Sequence, residues 1–173
     1  MIGDQWGVSA EEVSRRYPCD DFVPAPDLQA WRGVTVRASC SDVWRWVAQI
    51  RLAPYSFDWI DNLGRRSPQE LRHLAEPTVG EHFTTYGGRP TGRILSVEPG
   101  VQLTAAIMGA VMSYVLVPTG GAADGPTRLL LKVAGTPGRW LAPLLSVGDL
   151  VMARRQLLNL KGLAERSATS PDT

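Results

Sequence analysis

Two aspartates stand in the most aromatic stretch of the chain and are its first candidates for proton transfer. Asp58 and Asp61 lie within residues 55–63, which read YSFDWIDNL. If Asp58 points into an apolar interior, loss of solvation raises the pKa of its carboxyl, so that the group can give and take protons nearer neutral pH. The alternative is structural, with either carboxylate capping a helix turn or pairing with Arg65. The sequence leaves both interpretations open.

One histidine and two tyrosines are candidates for the same kind of chemistry. His82 lies on a predicted strand, where it faces either the interior as an acid or base or the outer side beside Glu81. Tyr86 and Tyr114 could each donate a hydrogen bond to a ligand carbonyl, or could be partly buried core residues. The predicted catalytic set is therefore Asp58, His82 and Tyr114.

Other side chains are candidates for holding a ligand rather than reacting with it. Arg93 is a natural anchor for a carboxylate or phenolate if it faces inward, and otherwise belongs to a solvated sheet face. Methionine adapts to irregular shapes, which suits either a ligand pocket or a gap-filled core. The predicted ligand-binding residues are Tyr55, Trp59, Tyr86, Arg93, Met108, Met112, Trp140 and Leu144.

One long C-terminal helix over residues 136–168 is expected to position much of this set. Residues 139–152 are apolar on nearly every side, whereas from Leu150 onward apolar residues recur at steps of three and four. The first half therefore needs cover all round, by protein or by protein plus ligand, and the second half needs cover on one face only. Pro143 and Gly148 are the places where this helix could bend or split.

Short segments in the middle of the chain alternate with tight glycine and proline turns, which predicts an antiparallel meander. The predicted strands cover residues 81–86, 92–97, 101–107, 112–117 and 127–134. A curved antiparallel sheet cannot leave its apolar face open, so the long helix is expected to lie across it.

The first part of the chain supplies one more strand and several short helices. A strand over residues 31–38 leads into a helix that Ser39 caps. Capping-box patterns at Ser9 and Ser67 predict a short helix near the N-terminus and another over residues 67–74.

Composition and charge exclude several classes of function. The chain has 173 residues with 18 basic and 17 acidic side chains, so no bulk attraction to nucleic acid is expected. Its two cysteines and two histidines form no metal-binding spacing and indicate free thiols in a reducing, cytoplasmic setting. The N-terminus lacks the pattern of a signal peptide. The uncharged run over residues 101–118 contains Gln102 and Thr104 and is expected to form two strands rather than a membrane span.

Two of these stretches carry a resemblance to a known family. Residues 34–47, VTVRASCSDVWRWV, resemble the opening strand and helix of the START-like (SRPBCC) superfamily, and residues 55–63 are similar to its bacterial polyketide cyclase/dehydrase-like branch. The resemblance covers about residues 31–166. It implies an α+β helix-grip fold, in which a curved antiparallel sheet of six to seven strands wraps around a long C-terminal helix. The expected domain is 31–168, preceded by a packed helix and extended arm (1–30) and followed by a disordered tail (169–173).

The same resemblance implies an internal cavity between sheet and helix that binds a small hydrophobic molecule of polyketide, aromatic or lipid type. One hypothesis is cofactor-independent cyclisation or dehydration in secondary metabolism. A second is a non-catalytic carrier or sensor, and a third is a structural protein with a filled core. The oxygenase branch needs a metal-binding His/Asp set that this sequence lacks, so no metal or cofactor is expected. The expected partner is the small molecule alone, with no nucleic acid and no membrane span, in a monomer or homodimer.

Overall fold

The computed structural model describes residues 4–57, 59, 63–120, 125–136 and 142–169, with side chains of the last range described from Met152 onward. Short helical turns lie at Pro18–Asp21 and Gln49–Arg51. In chain order the regular elements are β1 (Gln5–Trp6), α1 (Ala10–Ser14), β2 (Leu28–Val36), α2 (Cys40–Ala48), β3 (Thr84–Tyr86), β4 (Arg89–Thr91), β5 (Arg93–Glu98), β6 (Gln102–Ile107), β7 (Ala110–Pro118), β8 (Thr127–Gly135) and α3 (Ala142–Thr169).

The main sheet has six strands in the order β1-β2-β8-β7-β6-β5, and β3 and β4 form a separate hairpin. All neighbours in the main sheet are antiparallel except β1, which runs parallel to β2. The predicted meander is therefore confirmed for β5 to β8. The strand predicted over residues 81–86 is shortened to β3 and pairs with β4 outside the main sheet. The uncharged run becomes β6 and β7, joined at Met108 and Gly109.

No helix within the described residues is both long and apolar enough to cross a bilayer.

Caps begin the first two helices where the sequence predicts them. Ser9 and Glu12 form a complete capping box on α1, and the Ser39 hydroxyl accepts a hydrogen bond from the Asp42 amide at the start of α2. The apolar stripe of α2, including Trp46 and Val47, is buried against the sheet and α3.

The second half of α3 covers the inner face of the sheet, as its apolar stripe predicts. It lies against β2 and α2. The buried side chains of this half are Ala153, Gln156, Leu157, Leu160, Leu163 and Ala164. They share one core with Tyr114, Leu129 and Leu131 of the sheet. This part of the interior is filled by side chains, whereas the predicted cavity beside residues 142–151 involves side chains outside the described set and stays a prediction.

The N-terminal segment covers part of the outer face of the sheet. Tyr17 and Cys19 are buried in a second apolar cluster there with Val115 and Leu130. The Lys132 ammonium lies 2.5 Å from an Asp20 carboxylate oxygen and 5.2 Å from the centre of the Trp31 ring. Burial raises the pKa of Cys19, and burial together with the nearby Glu12 charge raises that of Tyr17 to about 12.

The short helix predicted over residues 67–74 is absent. The buried side chain of Gln49 donates to the Glu70 carbonyl (2.9 Å) and accepts from the Arg72 amide (2.7 Å). These bonds occupy backbone groups that a helix would use, so a distant side chain overrides the local capping signal. His82 lies before β3 rather than on it. The long helix is predicted to begin at residue 136, but residues 137–141 lie outside the described residues.

Candidate functional site

A loop after α2 turns an aromatic side chain into the core and leaves its neighbours facing α3. Tyr55 has a positive φ of 55°, an uncommon backbone conformation for a residue with a side chain. Its buried ring meets Trp46 edge to face at 6.2 Å between ring centres. Its hydroxyl accepts a hydrogen bond from Gln49 Nε2 at 2.7 Å. Packing and hydrogen bonding together hold the strained backbone in place.

Two amide side chains of α3 hold this loop by its carbonyls. Gln156 donates to Pro54 O (2.6 Å), and Asn159 donates to Tyr55 O (2.8 Å) and Ser56 O (3.2 Å). Gln156 Oε1 in turn accepts the Tyr114 hydroxyl at 2.6 Å. Sheet, helix and loop are therefore joined by hydrogen bonds between buried or half-buried groups, where an unsatisfied partner is costly.

Between this loop and the outer side of α3 lies a pocket of about 660 Å³ that is open to solvent. Its size falls within the range of small-molecule sites. The described lining residues are Tyr55, Ser56, Phe57, Trp59, Gly64, Arg66, Ser67, Gln69, Arg155, Leu158, Asn159, Gly162, Leu163 and Arg166.

Positive charge dominates the lining, since it includes three arginines and no described carboxylate. Among the described residues, Arg66, Arg155 and Arg166 form no ion pair. The nearby Glu165 carboxylate is occupied elsewhere, by Lys161 Nζ at 3.2 Å and by the Arg37 amide at 2.8 Å. The pocket therefore offers guanidinium groups whose charge the described lining does not neutralise.

An apolar wall accompanies these charges. The Arg155 guanidinium lies over the Phe57 ring, 5.9 Å from its centre, and Leu158 is exposed on the adjacent turn of α3. Trp59 is 74 % exposed, an unusual position for a large ring in a folded chain. A flat apolar ligand with an acidic group could meet both kinds of surface.

A glycine forms the helical side of the pocket. Gly162 lies seven residues after Arg155, on the same side of α3, so it leaves the space of a side chain between the arginines. A Cβ placed on Gly162 would lie 3.3 Å from Arg166 Nη1, which shows that this side chain folds back over the glycine. Gly162 lowers the stability of the helix, because glycine is a poor residue in a helix interior.

The structure brings only part of the predicted site together here. Tyr55 and Trp59 line the pocket. Tyr114 and Met112 are paired on the inner face of the sheet, where the hydroxyl lies 3.5 Å from the Met112 sulfur. Asp58 and Trp140 lie outside the described residues, as does the side chain of Leu144.

Four other predicted residues are exposed and do not line this pocket: His82, Tyr86, Arg93 and Met108. Ile94 takes the inward position on β5, so the neighbouring Arg93 falls on the outer face and does not point inward as a ligand anchor. Met108 occupies the tip of the β6–β7 turn with a φ of 50° and is 96 % exposed, so it is not an interior wall.

Sequence reasoning missed all three arginines of the lining (Arg66, Arg155 and Arg166) and three uncharged lining residues, Phe57, Asn159 and Gly162. A signal for part of it was present. Arg155, Asn159, Gly162 and Arg166 follow one another at steps of four, three and four, which defines a polar face of α3 interrupted by a glycine. No described group of three or more His, Cys, Asp or Glu side chains could hold a metal ion.

Comparison with known proteins supports the fold but does not assign a function. No protein-family model matches the chain, and no curated protein matches it in sequence. Among solved structures it is similar to a protein from Nitrosomonas europaea (TM-score 0.52, 14 % identity, covering 83 % of this chain and 98 % of that one). It is also similar to a protein from Thermobifida fusca (TM-score 0.52, 20 % identity, covering 80 % of this chain and 91 % of that one).

A further similar structure is a polyketide-cyclase-like protein from Corynebacterium glutamicum (TM-score 0.50, 15 % identity, covering 84 % of this chain and 95 % of that one). At these identities the likeness is one of fold. The chain has a helix-grip fold, and the fold that the sequence resemblance implies is confirmed.

Proposed function

We propose that this protein binds a small organic acid with a flat apolar body in the pocket between residues 55–69 and α3, as a carrier or sensor. The acidic group meets the pocket arginines, and the apolar body lies along Phe57, Trp59 and Leu158. The ligand class stays close to the aromatic and polyketide-like molecules that the sequence suggests, with the addition of a negative charge.

One observation carries this proposal: a pocket of about 660 Å³ holds three arginines, no described carboxylate and an aromatic wall. Guanidinium groups bind carboxylates through two parallel hydrogen bonds, and such charge-assisted bonds are stronger than neutral ones. No described carboxylate in the lining balances the charge of these arginines. An anionic ligand would supply the opposite charge.

The described lining supports binding better than proton transfer. Its polar groups are hydrogen-bond donors and amides, and among the described lining residues there is no carboxyl or imidazole to act as an acid or base. Ser56, Ser67 and Gln69 could orient a ligand by hydrogen bonds.

A second candidate function is cofactor-free cyclisation or dehydration of a polyketide-like substrate. It is supported by the fold likeness to a protein described as polyketide-cyclase-like and by the Tyr114 hydroxyl on the inner face of the sheet. That hydroxyl could donate to a substrate carbonyl if it exchanged its bond to Gln156. On this alternative the ligand lies inside the sheet, and Tyr114→Phe lowers turnover without changing arginine-dependent binding.

The test is calorimetric titration of the purified full chain with 1-naphthoate and with its neutral counterpart 1-naphthamide. Since each charge-assisted bond contributes roughly 1.5–3 kcal/mol, Arg155→Gln or Arg166→Gln should weaken naphthoate binding about tenfold or more. Naphthamide should bind weakly to every variant. Arg45→Gln is the matched control, because Arg45 is an exposed arginine on α2 outside the pocket.

Equal affinity for acid and amide, or equal loss in Arg45→Gln, would contradict the proposal. Native mass spectrometry of the protein as purified provides an independent view, since a co-purified organic acid that disappears in Arg155→Gln would identify the ligand directly.

A further inference from the structure

Three large apolar side chains are exposed at one end of the fold, outside the pocket. Leu63 is 66 % exposed, Tyr86 is 54 % exposed and Met108 is 96 % exposed. Single exposed apolar residues are common, but several at one end of a molecule indicate a contact surface. We call these three residues, together with the β3–β4 and β6–β7 turns, the tip patch.

Contacts between the turns place these residues at the same end. A Cβ placed on Gly87, beside Tyr86 in the β3–β4 turn, would lie 2.5 Å from Leu63 Cδ1. Gly92 lies at the other end of that hairpin. A Cβ placed on Gly92 would lie 2.8 Å from the Ala106 carbonyl oxygen. Ala106 lies two residues before Met108. The hairpin therefore leaves the main sheet at the same end of the strands as the β6–β7 turn.

The two turns of the tip patch are positively charged. Residues 86–93 read YGGRPTGR and residues 106–110 read AIMGA, so the two turns contain two arginines and no acidic residue. Arg89 and Arg93 are both exposed, and neither forms an ion pair with a described residue. Glu81, which precedes the hairpin, is bound to Arg51 at 2.7 Å.

We propose that the tip patch docks on the surface of an anionic lipid bilayer. Met108, Tyr86 and Leu63 enter the boundary between headgroups and acyl chains, while Arg89 and Arg93 meet lipid phosphates. The charge is complementary to such a surface. Projecting turn tips suit insertion between headgroups better than they suit a broad protein interface, which needs a larger continuous surface.

The experiment is co-sedimentation of the full chain with vesicles of phosphatidylcholine containing 30 % phosphatidylglycerol, compared with pure phosphatidylcholine. Wild type should bind the anionic vesicles more tightly, and the difference should shrink at high salt. Met108→Ser should weaken binding by about tenfold, as expected for one apolar side chain withdrawn from the bilayer. Arg89→Gln and Arg93→Gln should each weaken it by about fivefold.

The matched control is Val101→Ser, because Val101 is an exposed apolar residue in the turn at the opposite end of the sheet. It should bind vesicles like wild type. The proposal is overturned if wild type fails to bind anionic vesicles at low salt, or if Met108→Ser binds as wild type does. It is equally overturned if Met108→Ser abolishes self-association in sedimentation velocity and leaves vesicle binding intact, since the patch then contacts a second protein copy.

Discussion

At the scale of single residues, the site depends on amide side chains that hydrogen-bond to backbone groups of the loop, where no helix or strand pairs them. Gln156 receives the Tyr114 hydroxyl and donates to the Pro54 carbonyl, and Gln49 joins Tyr55 to the backbone near Glu70. Without these bonds the loop after α2 would carry unsatisfied backbone groups against the core. Gln49 and Gln156 therefore shape the pocket without being part of its lining.

A double-mutant cycle tests this role. Gln156→Leu removes the acceptor of a buried hydroxyl and should lower the free energy of unfolding by about 1–3 kcal/mol in urea titrations. Tyr114→Phe removes the other partner, so the double variant should lose less than the sum of the two single losses, by about 1 kcal/mol. Strictly additive losses would show that the 2.6 Å contact does not contribute to stability.

At the scale of elements, α3 has two different faces in its described half. One face buries leucines and alanines in the core, and the other presents Arg155, Gly162 and Arg166 to the pocket. A glycine in a helix interior is destabilising, and at the pocket its missing side chain leaves room for Arg166 to fold back.

Gly162→Ala is therefore expected to move stability and binding in opposite directions. The free energy of unfolding should rise by up to about 1 kcal/mol, because alanine is the better helix residue. Affinity for 1-naphthoate should fall about fivefold, since the new methyl group fills the floor and displaces Arg166. As a control, Ala168→Gly in the last turn should lower stability and leave affinity unchanged. A Gly162→Ala protein that is both more stable and equally able to bind would remove Gly162 from the site.

Elements with a local signal were predictable from the sequence. Ser9 and Ser39 start helices, and the glycine turns separate β5 to β8, because caps and turns act over three or four residues. The helix predicted after Ser67 failed, since Gln49 competes for its backbone from a distance in sequence. The pocket was only half predictable. Its aromatic side lies in one stretch, whereas its arginines come together only when α3 packs beside the loop.

At the scale of the whole molecule, an ion pair fastens the N-terminal segment to the sheet. Arg128 on β8 contacts both oxygens of the Glu12 carboxylate, at 2.6 and 2.9 Å, and both side chains are mostly buried. Hydrogen bonding to Arg128 is the main cause that lowers the pKa of Glu12 below its usual 4.5. A carboxyl with a depressed pKa stabilises the fold above its unfolded value and loses that contribution as the pH falls through its folded value.

Glu12→Gln should therefore lower the free energy of unfolding at pH 7 and flatten its decline as the pH falls below 4.5. Glutamine keeps the capping box, so the loss, about 1–3 kcal/mol at pH 7, reports the ion pair. The measurement is urea unfolding at a series of pH values, with Glu11→Gln as the control from the same helix turn. An unchanged pH profile in Glu12→Gln would show that the segment is held by packing alone.

The most direct test of the account is the location of ligand binding on the whole molecule. Backbone amide resonances of the ¹⁵N-labelled protein, titrated with 1-naphthoate, should shift at Ser56, Gly64, Ser67 and Gly162, with little change on the inner strands. Shifts concentrated at Ala105, Met112 and Tyr114 would place the ligand inside the sheet and contradict the assignment of the site to the loop and the outer side of α3.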